Sequence, residues 1–159
     1  MTPSERSLRT LSTSSDKIRF EPNPNGGEFM VVPVVALTQG VFQCANCPQA
    51  ELYLASEFGR IVDAWNGRPV TLGHPKRSGR FVSAGSLDVE ANEVIGTIRN
   101  ARMSGNKLRV EAWIDEEKVA RLGSRADTAV NRLDEGDQVE VSVGAFIDRQ
   151  PAVGSFKGR

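Results

Sequence analysis

Val94-Ile95-Gly96-Thr97-Ile98-Arg99-Asn100-Ala101-Arg102-Met103, then Ser104-Gly105-Asn106, then Lys107-Leu108-Arg109-Val110-Glu111-Ala112-Trp113-Ile114-Asp115 is the stretch that decides the fold of this chain. In its second half Leu108, Val110 and Ala112 point one way, and Arg109, Glu111 and Trp113 the other. That period of two is the mark of a strand with one buried face. The first half reads as a strand as well. Gly105 and Asn106 between them tolerate positive φ, so the triplet is a hairpin connection.

Downstream of this hairpin, residues 116–122 and 125–133 read as short helices, the first with acidic residues at its N-terminus, where the helix dipole favours them. Glu135-Gly136-Asp137 then turns the chain into a final strand over residues 138–148. Upstream, Phe29-Met30-Val31-Val32-Pro33-Val34-Val35-Ala36-Leu37 is an apolar, β-branched run that reads as a strand buried on both faces. Pro33 has no N–H for a ladder, which puts that strand at an edge or gives it a bulge. Over residues 50–65, Leu52, Phe58, Ile61, Val62 and Trp65 recur at helical spacing. Pro48 before them and Asn66-Gly67 after them suit a helix start and stop. Residues 68–75 read as a short strand ending in a turn, and residues 83–87 as another strand. The expected architecture is α+β: a small, mostly antiparallel β-barrel or sandwich with a few helices packed outside.

Residues 1–28 are polar, and such a stretch does not offset the entropy of its own ordering, about 1–2 kcal/mol per residue. They read as a mobile N-terminal tail, with Ile18 and Phe20 adding a short edge strand. The domain proper is expected over residues 29–150. Residues 151–159 form a Gly-rich, basic, flexible end without a closing element, which points to a truncated or self-processed chain.

Composition narrows the function. The 159 residues carry 20 Lys+Arg and 20 Asp+Glu, a formal net charge of zero, which disfavours nucleic-acid binding by bulk electrostatics. No apolar run approaches the roughly 20 residues of a membrane span, and the polar first residues do not read as a secretory signal. Two cysteines are too few to staple a fold of this size, so a reducing compartment is expected. The single histidine, His74, excludes any mechanism that needs two imidazoles from one chain.

His74 lies in Leu72-Gly73-His74-Pro75, where a strand breaks into a turn. Gly73 permits a tight backbone approach and Pro75 forces an extended conformation at His74. Strand ends of this kind present side chains to clefts, although a turn histidine bonded to a backbone carbonyl has the same signature. In Val139-Glu140-Val141-Ser142-Val143-Gly144 the valines share one strand face, and Ser142 shares the other with Glu140 and Gly144. A hydroxyl beside a residue with no side chain leaves open space above its Oγ, as a nucleophile requires. A serine on the wet face of an amphipathic strand fits the same pattern. The Gly-x-Ser-x-Gly elbow is absent, because Glu140 stands at its first position.

Taken together, Pro69-Val70-Thr71-Leu72-Gly73-His74-Pro75, a β-hairpin region, two small helices and Glu140-Val141-Ser142-Val143-Gly144 resemble the bacteriophage prohead (procapsid maturation) serine proteases, relatives of the herpesvirus assemblin fold. The resemblance runs from about Phe29 to Phe146. It implies an assemblin-like fold, Ser142 as nucleophile and His74 as general base, with no metal and no organic cofactor. It also implies capsid and scaffold proteins as substrates, self-cleavage, homo-oligomerisation, and work inside a procapsid assembled in the bacterial cytoplasm. Assemblin-type enzymes complete the triad with a second histidine, which this chain lacks. Phage relatives use an acidic residue; acids before Ser142 include Asp88, Glu90, Glu93, Glu111 and Glu140, Asp148 is the one after it, and the sequence does not choose among them. Asp148 would stand roughly 20 Å from Ser142 on an unbroken strand.

Other motifs have blander readings. Cys44-x-x-Cys47 has only His74 as a further nitrogen or sulfur ligand for zinc, and the β-rich surroundings do not suit a thioredoxin-like redox motif. A loop role is the simpler one. Lys76-Arg77-Ser78-Gly79-Arg80, directly after His74, is either a solvated basic turn or the lining of a cleft that favours acidic substrate segments. Trp65, Trp113 and Phe146 read as packing residues rather than a base-stacking platform. The alternative function is a non-catalytic β-barrel component of a phage particle, assembling through strand edges into a ring or tube.

Overall fold

The computed structural model describes residues 4–6, 17–43, 48–136, 143–145 and 150–157. In chain order these form β1 (Ser4–Arg6), β2 (Arg19–Pro22), β3 (Glu28–Thr38), β4 (Gly40–Phe42), β5 (Glu51–Tyr53), α1 (Ala55–Phe58), a 3-10 turn (Val62–Trp65), β6 (Pro69–Thr71), β7 (Lys76–Arg77), β8 (Arg80–Phe81), α2 (Leu87–Asn92), β9 (Val94–Ser104), β10 (Lys107–Asp115), α3 (Glu116–Leu122), α4 (Ser124–Asp134) and β11 (Val143–Ala145). The frame is a five-stranded antiparallel sheet in the order β2-β3-β10-β9-β6. The hairpin at Gly105 sets β9 against β10, and β3 covers the other side of β10. The molecule is therefore α+β, but the sheet is open and does not close into a barrel. Its end strands β2 and β6 are short and do not pair with each other.

Burial along β10 alternates over its whole length, with Leu108, Val110, Ala112 and Ile114 buried. On the same face Met30, Val32 and Ile95 join Ala112 and Ile114 beneath Val119 of α3 and Ala126 of α4. Toward the hairpin end, Ala36, Leu37, Leu108 and Val110 pack with Phe42, Phe58, Trp65, Met103 and Val143. Two irregularities bend this sheet. Ala36 is the extra residue where the β3–β10 register shifts, and the β9–β10 register shifts opposite Val110. At the latter Asn100 takes φ 53°, a left-handed conformation that asparagine accepts more readily than most residues. Pro33 pairs with Glu111 on a stretch of β3 that lies beyond its β2 partner, so an edge position and a nearby bulge both occur.

The expected helix over residues 50–65 does not form as one element. Glu51–Tyr53 pairs with Gly40–Phe42 as β5, so its backbone groups are spent on a ladder. The Gln39 side-chain oxygen accepts from Ala55 N at 3.0 Å and starts α1 there instead. Gly59 ends it in a tight place, where a Cβ would lie 2.6 Å from the Ala55 carbonyl and 3.0 Å from Met103 Sδ. Phe58 and Trp65 reach the core as their spacing predicts, yet Leu52 and Ile61 are exposed. The expected strand over residues 83–87 is replaced by a turn and α2. There Ser83 Oγ accepts from Gly85 N at 3.1 Å and Ser83 O from Ser86 N at 3.1 Å, local bonds that serine offers in competition with a strand ladder. The edge strand expected near Ile18 and Phe20 is β2. Of the final strand, Val143–Ala145 is described, paired antiparallel with Ser4–Arg6.

Candidate functional site around His74

β6 hangs on β9, with Val70 facing Gly96 across the pair, and Val70 together with Leu72 just beyond the strand packs against the helix-covered core. The chain then breaks at Gly73, whose φ of +77° an ordinary side chain resists. Thr71 Oγ1 donates to the Gly73 carbonyl at 2.7 Å and tightens the turn. His74 follows, half-buried, and Pro75 is buried beyond it.

The basic stretch after His74 is a hairpin rather than a loose loop. Lys76 pairs with Phe81 and Arg77 with Arg80, and Val82 N donates to Pro75 O at 3.0 Å, extending the ribbon back to the residue after His74. Ser78 and Gly79 at its tip have φ of 50° and 76°, the two left-handed residues of a two-residue hairpin turn. The alternation of the ribbon puts His74, Lys76 and Phe81 on one side. The His74 and Phe81 rings meet edge to face at 6.1 Å, and Lys76 Nζ stands 4.4 Å over the Phe81 ring. On the other side Arg77 is bound by Asp88 of α2, with Nε to Oδ2 at 2.8 Å, and by Glu93, with Nη1 to Oε1 at 2.6 Å. Its hydrogen bond to Arg77 holds the Asp88 carboxyl below the usual range. The hairpin is thus pinned to α2 through Arg77.

α4 completes the surroundings. A Cβ built at Gly73 would stand 3.9 Å from Arg125 Nη2, so this guanidinium lies near the residue that precedes His74. The sequence reading missed Phe81 and Arg125 as neighbours of His74. Ser78-Gly79 is the turn signal that places Phe81, whereas the approach of Arg125 comes from helix packing and has no local sequence signal.

Ser142, Glu140, Asp148, Cys44 and Cys47 lie outside the described residues. Val143, next to Ser142, packs against the cluster of Ala36, Leu37, Leu108 and Val110. Among the acids considered for a third member, Asp88 and Glu93 are engaged by Arg77, and Glu111 is engaged by Arg19 on the far side of the sheet. Among the described residues no group of three or more His, Cys, Asp or Glu side chains is arranged to hold a metal ion, and no helix is long and apolar enough to cross a membrane. Comparison with protein-family models, with curated proteins and with solved structures found no match.

Proposed function

We propose that this chain is a serine endopeptidase of the prohead-protease type, with Ser142 as nucleophile and His74 as general base. The observation that carries the proposal is the resemblance of the His74 and Ser142 segments to the two motifs of those proteases, in the same order, with the β9–β10 hairpin and the two small helices α3 and α4 among the elements between them. The setting of His74 supports it. The imidazole is half-buried beyond a strand end, against the Phe81 ring and beside a hairpin pinned to α2, a setting compatible with a general base.

In the proposed reaction Ser142 Oγ attacks a peptide carbonyl carbon while His74 takes the hydroxyl proton. The C–N bond then breaks and the imidazole returns that proton to the leaving amine. Water, deprotonated by the same histidine, then attacks the acyl carbon; the ester C–Oγ bond breaks and the imidazole passes the proton to Ser142 Oγ, restoring the hydroxyl. The residues require no metal or organic cofactor for this chemistry. The fold finer than α+β is proposed to be assemblin-like, and the substrates to be scaffold and capsid-protein segments, the chain itself included. The proposed setting is the interior of a phage procapsid in the host cytoplasm, where the chain forms homo-oligomers.

The test is processing of the protein together with a capsid substrate, read by intact mass. Cleavage by the wild type is expected, and its loss in both Ser142→Ala and His74→Ala. Products unchanged by Ser142→Ala would remove the serine as nucleophile and return the chain to the alternative of a particle component without catalysis.

A further inference from the structure

We infer that the His74 turn carries a subsite for a substrate carboxylate, formed by Lys76 and Arg125, so that acidic peptide segments are the substrate class of this site. The inference rests on the protease reading above and adds to it what the enzyme selects.

The basic residues of this region divide by their place on the ribbon. Arg77 is consumed by Asp88 and Glu93 and serves to pin the hairpin. Arg80 pairs with Arg77 across the ladder and shares its side, away from His74. Lys76 alone of the three shares the side of His74, and its ammonium is held over the same Phe81 ring that the imidazole meets. Cation–π contact fixes the position of a lysine and leaves its N–H groups open to an acceptor.

Arg125 approaches from the opposite element. It sits in the first turn of α4, which also carries Asp127, at the positive end of the helix dipole. Among the described residues neither Lys76 nor Arg125 makes a salt bridge, and both are exposed. Arg125 Nη2 lies 3.9 Å from where a Cβ on Gly73 would stand, which puts the guanidinium beside the residue before His74. Two cations from different elements thus border the turn that presents the proposed base, Lys76 on the ring that meets His74 and Arg125 beside Gly73. A peptide carboxylate there gains charge-assisted hydrogen bonds that its amide counterpart does not.

The experiment uses Ser142→Ala protein, which leaves peptides intact, and measures the anisotropy of a labelled glutamate-rich peptide and of its glutamine counterpart. The glutamate peptide is expected to bind about tenfold more tightly at low salt, with the preference shrinking as salt rises. Lys76→Gln and Arg125→Gln should each reduce the preference, and Arg80→Gln, on the other side of the hairpin, should keep it. Thermal unfolding of each variant shows that the fold survives. Equal affinity for the two peptides, no binding of either, or a preference lost equally in Arg80→Gln would overturn the subsite. The protease reading fails separately, if wild-type protein leaves a bound glutamate peptide uncut.

Discussion

Glu111 shows how a single side chain can hold the open face of a sheet together. Its carboxylate accepts two hydrogen bonds from Arg19 at 2.9 and 3.0 Å, one from Asn100 Nδ2 at 2.6 Å and one from Trp113 Nε1 at 3.0 Å. These bonds, led by the Arg19 pair, outweigh partial burial and pull its carboxyl down from 4.5 to about 2. Arg99 stacks over Trp113 at 4.3 Å and over Phe29 at 5.1 Å, roofing the same patch. A carboxyl lowered by folding stabilises the native state above its unfolded value and loses that contribution as pH falls through the folded value. Stability from Glu111 is therefore expected to be full above pH 4.5 and to drain away toward about pH 2. Allowing for solvent screening, its size is about 1–2 kcal/mol. Urea unfolding of wild type and Glu111→Gln should differ by that amount at neutral pH and converge in acid; a difference constant with pH would refute the assignment. Gly96 is the second residue whose identity is dictated by contact. A Cβ there would lie 2.2 Å from the Trp113 carbonyl oxygen and 3.0 Å from Ile114 Cα, both backbone atoms that cannot step aside. Gly96→Ala is expected to cost on the order of 3 kcal/mol in the same assay.

At the scale of elements, the passage from β10 into α3 turns on one side chain. Asp115 ends the strand and caps the helix, its Oδ1 accepting from Glu117 N at 3.0 Å and from Lys118 N at 3.3 Å. Glu116 and Glu117 follow in the first turn, where the dipole favours them. Asp115→Ala is expected to lower stability by about 1 kcal/mol, with most of it restored by Asp115→Asn, a comparably good cap. Equal loss in both variants would mean that the charge, not the cap, matters. The His74 hairpin follows the β6 turn and is tied to α2 by the exposed ion pairs of Arg77 with Asp88 and Glu93, so much of its support is polar.

Across the whole molecule, packing is concentrated in β3, β9 and β10. Val31 and Leu108 are fully buried, and Met30, Val110 and Ile114 nearly so, whereas β7 and β8 are almost entirely exposed. Amide exchange should follow this gradient, slowest along Met30–Leu37 and Leu108–Ile114 and fastest in the His74 hairpin. Protection in that hairpin equal to the β10 strand would contradict it. A firm sheet with an exposed hairpin beside the proposed base suits a site that must admit an extended peptide.

The strands β9 and β10, the turn between them, and helices α3 and α4 were legible because much of each is specified locally: strict alternation in β10, a Gly-Asn turn, an acidic start to α3. Over residues 50–65 the helical spacing was real, but Gln39, Met103 and the partner strand β4, all distant in sequence, decided the backbone there. The same division holds at the site. His74 stood out by itself as the only histidine, set between a glycine and a proline at a strand end. That the ring meets Phe81, that Arg77 is bound to Asp88 and Glu93, and that Arg125 reaches Gly73 were decided by tertiary packing alone. Local sequence determines what a segment prefers within reach of its own backbone, but contacts between segments depend on how the sheet bends and where its helices settle.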